Sequence, residues 1–316
     1  MALLDIENLK TYYFLPDSIV KAVDGVSLRI EEGEIVGLVG ESGSGKSTLG
    51  LSILKLVPPP GRIVEGSIFF KGRDLVSLSE KEMEKIRGAQ ISMVFQDPLT
   101  SLDPLMRVGD QLVETIMAHR EVSKSEAVEL AKKYLEMVGI GGERFYDYPH
   151  QFSGGMRQRS MIAMAISTNP SLLIADEPTT ALDVIVQAQI MKLFEKLRKE
   201  LKLSIILITH DISVAMEIAD KIGVMYAGQL VEFASSYEIY REPLHPYTKG
   251  LMEAVPNIEL ADMKLHYIPG DPPDLSNPPI GCRFAPRCKE KMDICEREVP
   301  PEIRVKDRFV RCFLYG

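Results

Sequence analysis

The sequence predicts an α/β fold: a parallel core sheet with crossover helices, an antiparallel β portion near the N-terminus, a helical middle, and a small loop-rich C-terminal appendage. Three observations predict it. Continuous apolar runs at 35–39, 171–175 and 204–208 read as strands buried on both faces, as parallel strands are. Helix-like segments separate them, so strand, helix and strand alternate as right-handed crossovers require. After about residue 243 prolines crowd in, at Pro243, Pro246, Pro256, Pro269, Pro272, Pro273, Pro278 and Pro279, a density that a continuing α/β layer does not tolerate.

Taken in order, residues 26–30 (Val-Ser-Leu-Arg-Ile) alternate apolar and polar, as a half-buried antiparallel strand does. Residues 31–34 form a turn. The run 35–39 leads into a glycine-rich segment and a helix over 46–56. Roughly 107–144 reads as helical, with Ser123 and Glu126 as a capping box ahead of a helix over 127–138. A helix over 186–199 lies between the last two buried strands. A boundary near 235–245 divides a domain over 1–240, with a helical subdomain at about 97–168, from an appendage over 241–316.

The 316 residues are 45% hydrophobic and 26% charged, which supplies a core and excludes a disordered chain. A net charge of −8 without a basic patch disfavours nucleic acid as a partner. The first ten residues lack a basic region followed by an apolar run. No stretch reaches the ~18 apolar residues of a membrane span. The expectation is a cytoplasmic protein whose membrane contact comes through a partner.

Residues 40–47, Gly-Glu-Ser-Gly-Ser-Gly-Lys-Ser, fit the P-loop pattern. Gly40, Gly43 and Gly45 let backbone N–H groups turn inward around phosphate oxygens, with Ser42 and Ser44 between them. The following helix, opening through Thr48, points its positive end at the anion. Lys46 neutralises the β and γ phosphates, and Ser47 holds Mg²⁺. A buried strand at 172–176 ends in Asp176 and Glu177. Ligands of open α/β sheets sit outside the carboxyl ends of strands. Asp176 is therefore placed to bind Mg²⁺ through water, and Glu177 to act as general base on the water that attacks the γ-phosphate.

Residues 152–159, Phe-Ser-Gly-Gly-Met-Arg-Gln-Arg, resemble the signature motif of ABC ATPases. Residues 181–183, Ala-Leu-Asp, resemble the D-loop; His210 resembles the switch histidine and Gln96 the Q-loop glutamine. With the P-loop these occupy residues 40–210 in the family order. The resemblance implies an ABC-type P-loop ATPase that binds ATP and Mg²⁺. His210 donates to the γ-phosphate, and Gln96 offers an acceptor to Mg²⁺ and donors to water. Ser153, Gly154 and Gly155, with Asp183 of the D-loop, close on the ATP of a second subunit, so the resemblance implies a head-to-tail dimer. The signature departs from its commonest form, which has Leu and Gln where this chain has Phe152 and Met156; the Ser-Gly-Gly core is intact. The family stacks adenine on an aromatic residue at the end of the first strand. Tyr13 is the candidate, with Tyr12 as the alternative.

Residues 243–256 (Pro-Leu-His-Pro-Tyr-Thr-Lys-Gly-Leu-Met-Glu-Ala-Val-Pro) resemble a stretch of oligopeptide and dipeptide importer ATPases. The sequence Gly-Cys-Arg-Phe-Ala-Pro-Arg-Cys at 281–288, with Met292, Cys295, Pro300 and Pro301, resembles the tail of the same subfamily, of which some nickel importers are close relatives. All four cysteines lie in this tail, at Cys282, Cys288, Cys295 and Cys312. The spacing C-x5-C-x6-C-x16-C is neither the compact ferredoxin run nor the paired C-x2-C usual for zinc. In the subfamily the set resembles [4Fe–4S] ligands; Zn²⁺ and unmetallated thiols are the alternatives. A small segment with little core is often held by metal, so a structural staple is the expected role.

The implied partners are a second ABC ATPase subunit, identical or paralogous, integral membrane permease subunits, and, indirectly, an extracytoplasmic peptide-binding protein. The implied location is the cytoplasmic face of the plasma (inner) membrane. Alternatives are a nickel-importer ATPase and a soluble ABC ATPase with a regulatory iron–sulfur site.

Overall fold

The computed structural model describes residues 2–97, 101–255 and 267–316. Pro98, in the loop that begins at Gln96, and Pro256, at the end of the importer-like stretch, lie outside the described residues. The chain divides into two units. One comprises Met1–Glu31, Ile35–Ser77 and Ile208–Gly316, the other Glu32–Glu34 and Leu78–Leu207.

In the first unit, four antiparallel strands form one sheet in the order Ile19–Glu31, Ala2–Phe14, Gly61–Phe70, Arg73–Asp74. The alternation at 26–30 falls within Ile19–Glu31, where Val26, Leu28 and Ile30 are buried. The apolar run Ile35–Val39 is buried at every position and pairs parallel with Lys221–Tyr226. Its Gly37 lets the helix Ile212–Ile218 approach closely, since a Cβ there would stand 2.9 Å from Ala215 Cβ. Lys221–Tyr226 folds back on Gln229–Ser235 through Ala227 and Gly228, both at positive φ (48° and 83°), as a two-residue type I′ turn requires.

The appendage is loop-rich, with short 3₁₀ turns at Ala285–Arg287, Asp293–Glu296 and Phe313–Tyr315. It also contains regular structure that the proline count obscures. Pro246 occupies the first turn of the helix Pro246–Glu253, where its missing N–H costs nothing. Beyond the last proline, the hairpin Ile303–Val305 and Arg308–Val310 pairs antiparallel with Gln229–Ser235 and covers that strand's edge. Glu232, fully buried on that strand, accepts from the backbone N–H groups of Leu244 (2.8 Å) and His245 (2.9 Å), which fixes where the tail departs.

In the second unit, Ile91–Val94 pairs parallel with Leu172–Asp176. The expected helices form as Val108–His119 and Lys124–Met137, the latter starting three residues before the apolar pattern does because Ser123 and Glu126 cap it reciprocally. Gly154–Ile166 and Val184–Leu201 complete the larger helices described there. The chain leaves this unit within the strand Ser204–Thr209, buried at every position.

Candidate functional site

In the first unit, the glycines of the P-loop are demanded by their surroundings. A Cβ at Gly40 (φ 151°) would collide with the Met225 carbonyl oxygen, and one at Gly45 (φ 101°) with that of Ala22. Gly43 has φ 75° and no atom within 4 Å of its missing Cβ, so backbone conformation alone selects glycine there. The helix Lys46–Ile53 opens at Gly45 with no side-chain cap and no acidic residue in its first turn, which keeps its positive end available to an anion. Lys46 Nζ lies across the loop, donating to the carbonyls of Gly40 (2.7 Å) and Glu41 (2.9 Å) and to Ser44 Oγ (3.2 Å). Ser42 is exposed at the tip, and Ser47 and Thr48 are half-buried on the first helical turn.

His210 follows the buried strand directly and is exposed; Asp211 beyond it caps the helix Ile212–Ile218. The two aromatic candidates differ in what they touch. The Tyr12 hydroxyl donates to Asp24, which also pairs with Arg283 of the tail. Tyr13 packs its ring against Gly61, where a Cβ would stand 2.6 Å from the ring.

In the second unit, Asp176 ends a fully buried strand and is 6% exposed. Glu177 adopts φ 44°, a left-handed conformation unfavourable for a side-chain-bearing residue. Its Oε2 accepts from Gln96 Nε2 (3.0 Å) and Thr180 Oγ1 (2.9 Å), so two residues 81 positions apart meet at the carboxylate. Ser153 caps the helix Gly154–Ile166 by accepting from Met156 N–H at 3.3 Å. Gly155 permits close approach of Val186, whose Cγ1 would lie 2.7 Å from an added Cβ. Phe152 is 3% exposed beneath the Arg144 guanidinium, so the departure from Leu is a matter of core packing. Asp183 caps Val184–Leu201, accepting from Val186 N–H at 2.9 Å.

In the tail, Cys282, Cys288, Cys295 and Cys312 line one cavity together with His245. None is in a disulfide. Burial pushes the Cys282 thiol up to about 11 and raises Cys288 and Cys312 as well. Burial lowers His245 to about 3, so its ring is neutral, and Nδ1 accepts from Tyr247 N–H at 3.0 Å. Among the described residues no group of three or more His, Cys, Asp or Glu is set to hold a single metal ion. No helix among them is long and apolar enough to cross a membrane.

The structure also recruits residues that motif reading passes over. Glu41 of the P-loop is held by Tyr247 and by Arg287 of the tail, and Arg287 also donates to Tyr226. The one hint in the sequence is that Arg283 and Arg287 stand directly inside the Cys282 to Cys288 segment.

A family model described as ABC transporter matches residues 23–180, and one described as oligopeptide/dipeptide transporter, C-terminal region, matches residues 231–295. The dipeptide transport ATP-binding protein DppD of Bacillus subtilis is 49% identical over 315 residues, covering 98% of this chain and 94% of its own. The chain belongs to the ABC transporter family. Its cassette hydrolyses ATP, and it lies in the family branch of the peptide transport subunits. The oligopeptide transport ATP-binding protein OppD of Escherichia coli is 48% identical over 314 residues, covering 99% of this chain and 93% of its own. Among solved structures, the ATP-binding cassette MJ0796, a dimer bound to ADP and Pi in a post-hydrolysis state, superposes with a TM-score of 0.67 at 31% identity. It covers 74% of this chain and 98% of its own, so this ABC subunit is longer than that bare cassette.

Proposed function

We propose that this chain is the ATP-hydrolysing motor of a membrane importer for di- or oligopeptides, peripheral to the cytoplasmic face of the plasma membrane. The observation that carries the reading is near-50% identity, over almost the whole length, to subunits named for dipeptide and oligopeptide transport, tail included. That likeness favours transport over a soluble ATPase, and peptide over nickel.

The division of labour runs over a motor domain at 1–240, with its helical subdomain at about 97–168, and an appendage at 241–316. The backbone N–H groups from Gly43 to Thr48 cradle the phosphates, and Lys46 leaves its carbonyl partners for phosphate oxygens. Tyr13 stacks on adenine; the engagement of the Tyr12 hydroxyl with Asp24 supports this choice. Ser47 and Asp176 supply the hard oxygen donors that Mg²⁺ takes. Mg²⁺, when bound, neutralises the charge of the β and γ phosphates. Gln96 reports the state of the γ-phosphate, and His210 donates a hydrogen bond to it. Glu177, oriented by Gln96 and Thr180, removes a proton from the attacking water. Ser153, Gly154 and Gly155, with Asp183, act on the nucleotide of a second ATPase subunit, identical or paralogous. Beside Asp183, Val184 and Ile185 are 80% and 73% exposed, an apolar pair that suits burial in such a dimer. Phe95 and Leu105, exposed to either side of the Gln96 loop, suit docking of the permease subunits that the closing dimer moves. An extracytoplasmic peptide-binding protein delivers the substrate to those permeases.

Glu177→Gln tests the core of this reading. Turnover should fall about 100- to 1,000-fold while ATP affinity stays within about twofold. Near-normal turnover would remove Glu177 from the role of base.

For the tail, the four thiols hold a [4Fe–4S] cluster as a structural staple. Support comes from their lining one cavity. Zn²⁺ is the alternative metal for the same four thiols. Protein purified without oxygen should contain about four irons and four sulfides per chain. Stoichiometric zinc without iron would overturn the cluster.

A further inference from the structure

We propose that Arg287 is a positioning residue for nucleotide binding: by forking onto Glu41, it neutralises and holds aside a carboxylate of the P-loop that would otherwise oppose ATP and compete for Lys46. The proposal rests on the reading of residues 40–47 as an ATP site.

Arg287 ends the 3₁₀ turn Ala285–Arg287, immediately before Cys288. Its side chain is 5% exposed. Nη1 donates to Glu41 Oε2 at 2.7 Å and Nη2 to Oε1 at 2.9 Å, the bidentate arrangement that only a guanidinium makes. Nη1 donates further to the Tyr226 hydroxyl (3.3 Å), Nη2 to the Ile268 carbonyl (3.2 Å) and Nε to the Pro269 carbonyl (2.9 Å). The guanidinium's donor capacity is thus used in full, and its orientation is fixed from several sides.

Glu41 is the second residue of the P-loop, and the tail holds more than its carboxylate. Its N–H donates to the hydroxyl of the fully buried Tyr247, on the tail helix Pro246–Glu253. Its carbonyl accepts from Lys46 at 2.9 Å. One residue therefore carries the phosphate-binding lysine on one group and two tail residues on the others. The same short segment reaches the loop's other support. Arg283 donates to the carbonyl of Ala227, in the turn whose Gly228 N–H donates to Ser44 of the P-loop at 2.9 Å.

Two consequences follow from charge. The fork neutralises a carboxylate that stands beside the phosphate cradle. Without Arg287 that carboxylate would oppose the nucleotide's negative charge and compete for Lys46. The effect falls on nucleotide affinity, since Arg287 reaches none of the groups assigned to the chemical step.

Steady-state ATPase assays and fluorescent-nucleotide titrations on the full chain test this, with thermal melting alongside. Arg287→Ala should raise KM for MgATP and the nucleotide Kd about tenfold, with kcat within about twofold. Arg287→Lys should recover affinity only in part, because a point charge cannot fork. Adding Glu41→Gln to Arg287→Ala should restore affinity to within about threefold, which a purely structural strut would not do. If Arg287→Ala does not fold, the Lys variant with and without Glu41→Gln carries the same comparison. Affinity within about twofold of the parent in the Arg287 variants, whatever their melting temperature, overturns the proposal and leaves the ATP site standing. A parent chain that binds no ATP overturns both.

Discussion

Two segments of this chain place glycines where a helix begins, and their surroundings differ. In the P-loop, Gly40 and Gly45 are demanded by neighbouring carbonyl oxygens and positive φ, and the helix that follows has no side-chain cap. In the signature segment, Ser153 caps its own helix, and Gly155 is demanded by the Val186 side chain. The first segment keeps its positive helix end for an anion and carries its own cation, Lys46. The second has answered part of its own hydrogen-bonding need, and its cations, Arg157 and Arg159, stand further along the helix than Lys46 does on its own. Glycine content alone would have equated them; their neighbours tell them apart, carbonyl oxygens crowding the first and a valine side chain the second, in keeping with the separate roles proposed for them.

The largest test of that contrast is Lys46→Ala. It should weaken ATP binding about a hundredfold at every protein concentration, because the lesion lies within one chain. An affinity that depended on protein concentration would show that the P-loop too needs a second chain.

Gly155→Ala probes the packing claim. Crowding Val186 should cost about 2 kcal/mol in urea unfolding. A neutral result would mean the helix Val184–Leu201 yields easily, and the glycine would then need another explanation.

Gly154→Ala sharpens the contrast furthest, since its Cβ would stand an ordinary 3.4 Å from Leu182 Cδ2. Folding and single-chain nucleotide affinity should be unchanged, while turnover falls about tenfold. A matching loss of single-chain affinity would show the signature serving its own nucleotide, and the comparison would collapse.

Much of the fold was legible because its signals are short-range. The buried run Ile35–Val39, the Ser123 and Glu126 capping box and the strand ending at Asp176 each declare themselves within a few residues. The appendage was legible only as a composition. Proline density announced loops, but said nothing of the hairpin Ile303–Val305 and Arg308–Val310, whose place depends on an open strand edge at Gln229–Ser235. Cys312 belongs to the small core that this hairpin makes with Leu244 and Val310.

The candidate site divides in the same way. The sequence alone established the phosphate-binding loop, the carboxylates at the end of a buried strand, and the order of the motifs. Those are properties of backbone conformation and local spacing, and they survive translation into one dimension. Tertiary structure was needed to bring Gln96 onto Glu177, to commit the Tyr12 hydroxyl to Asp24, and to set Arg287 on Glu41 across 246 positions of chain. Those pairings depend on which side chains share a buried, low-dielectric space, where an unpaired charge or donor is costly. Folding alone creates that space, and no local pattern encodes it.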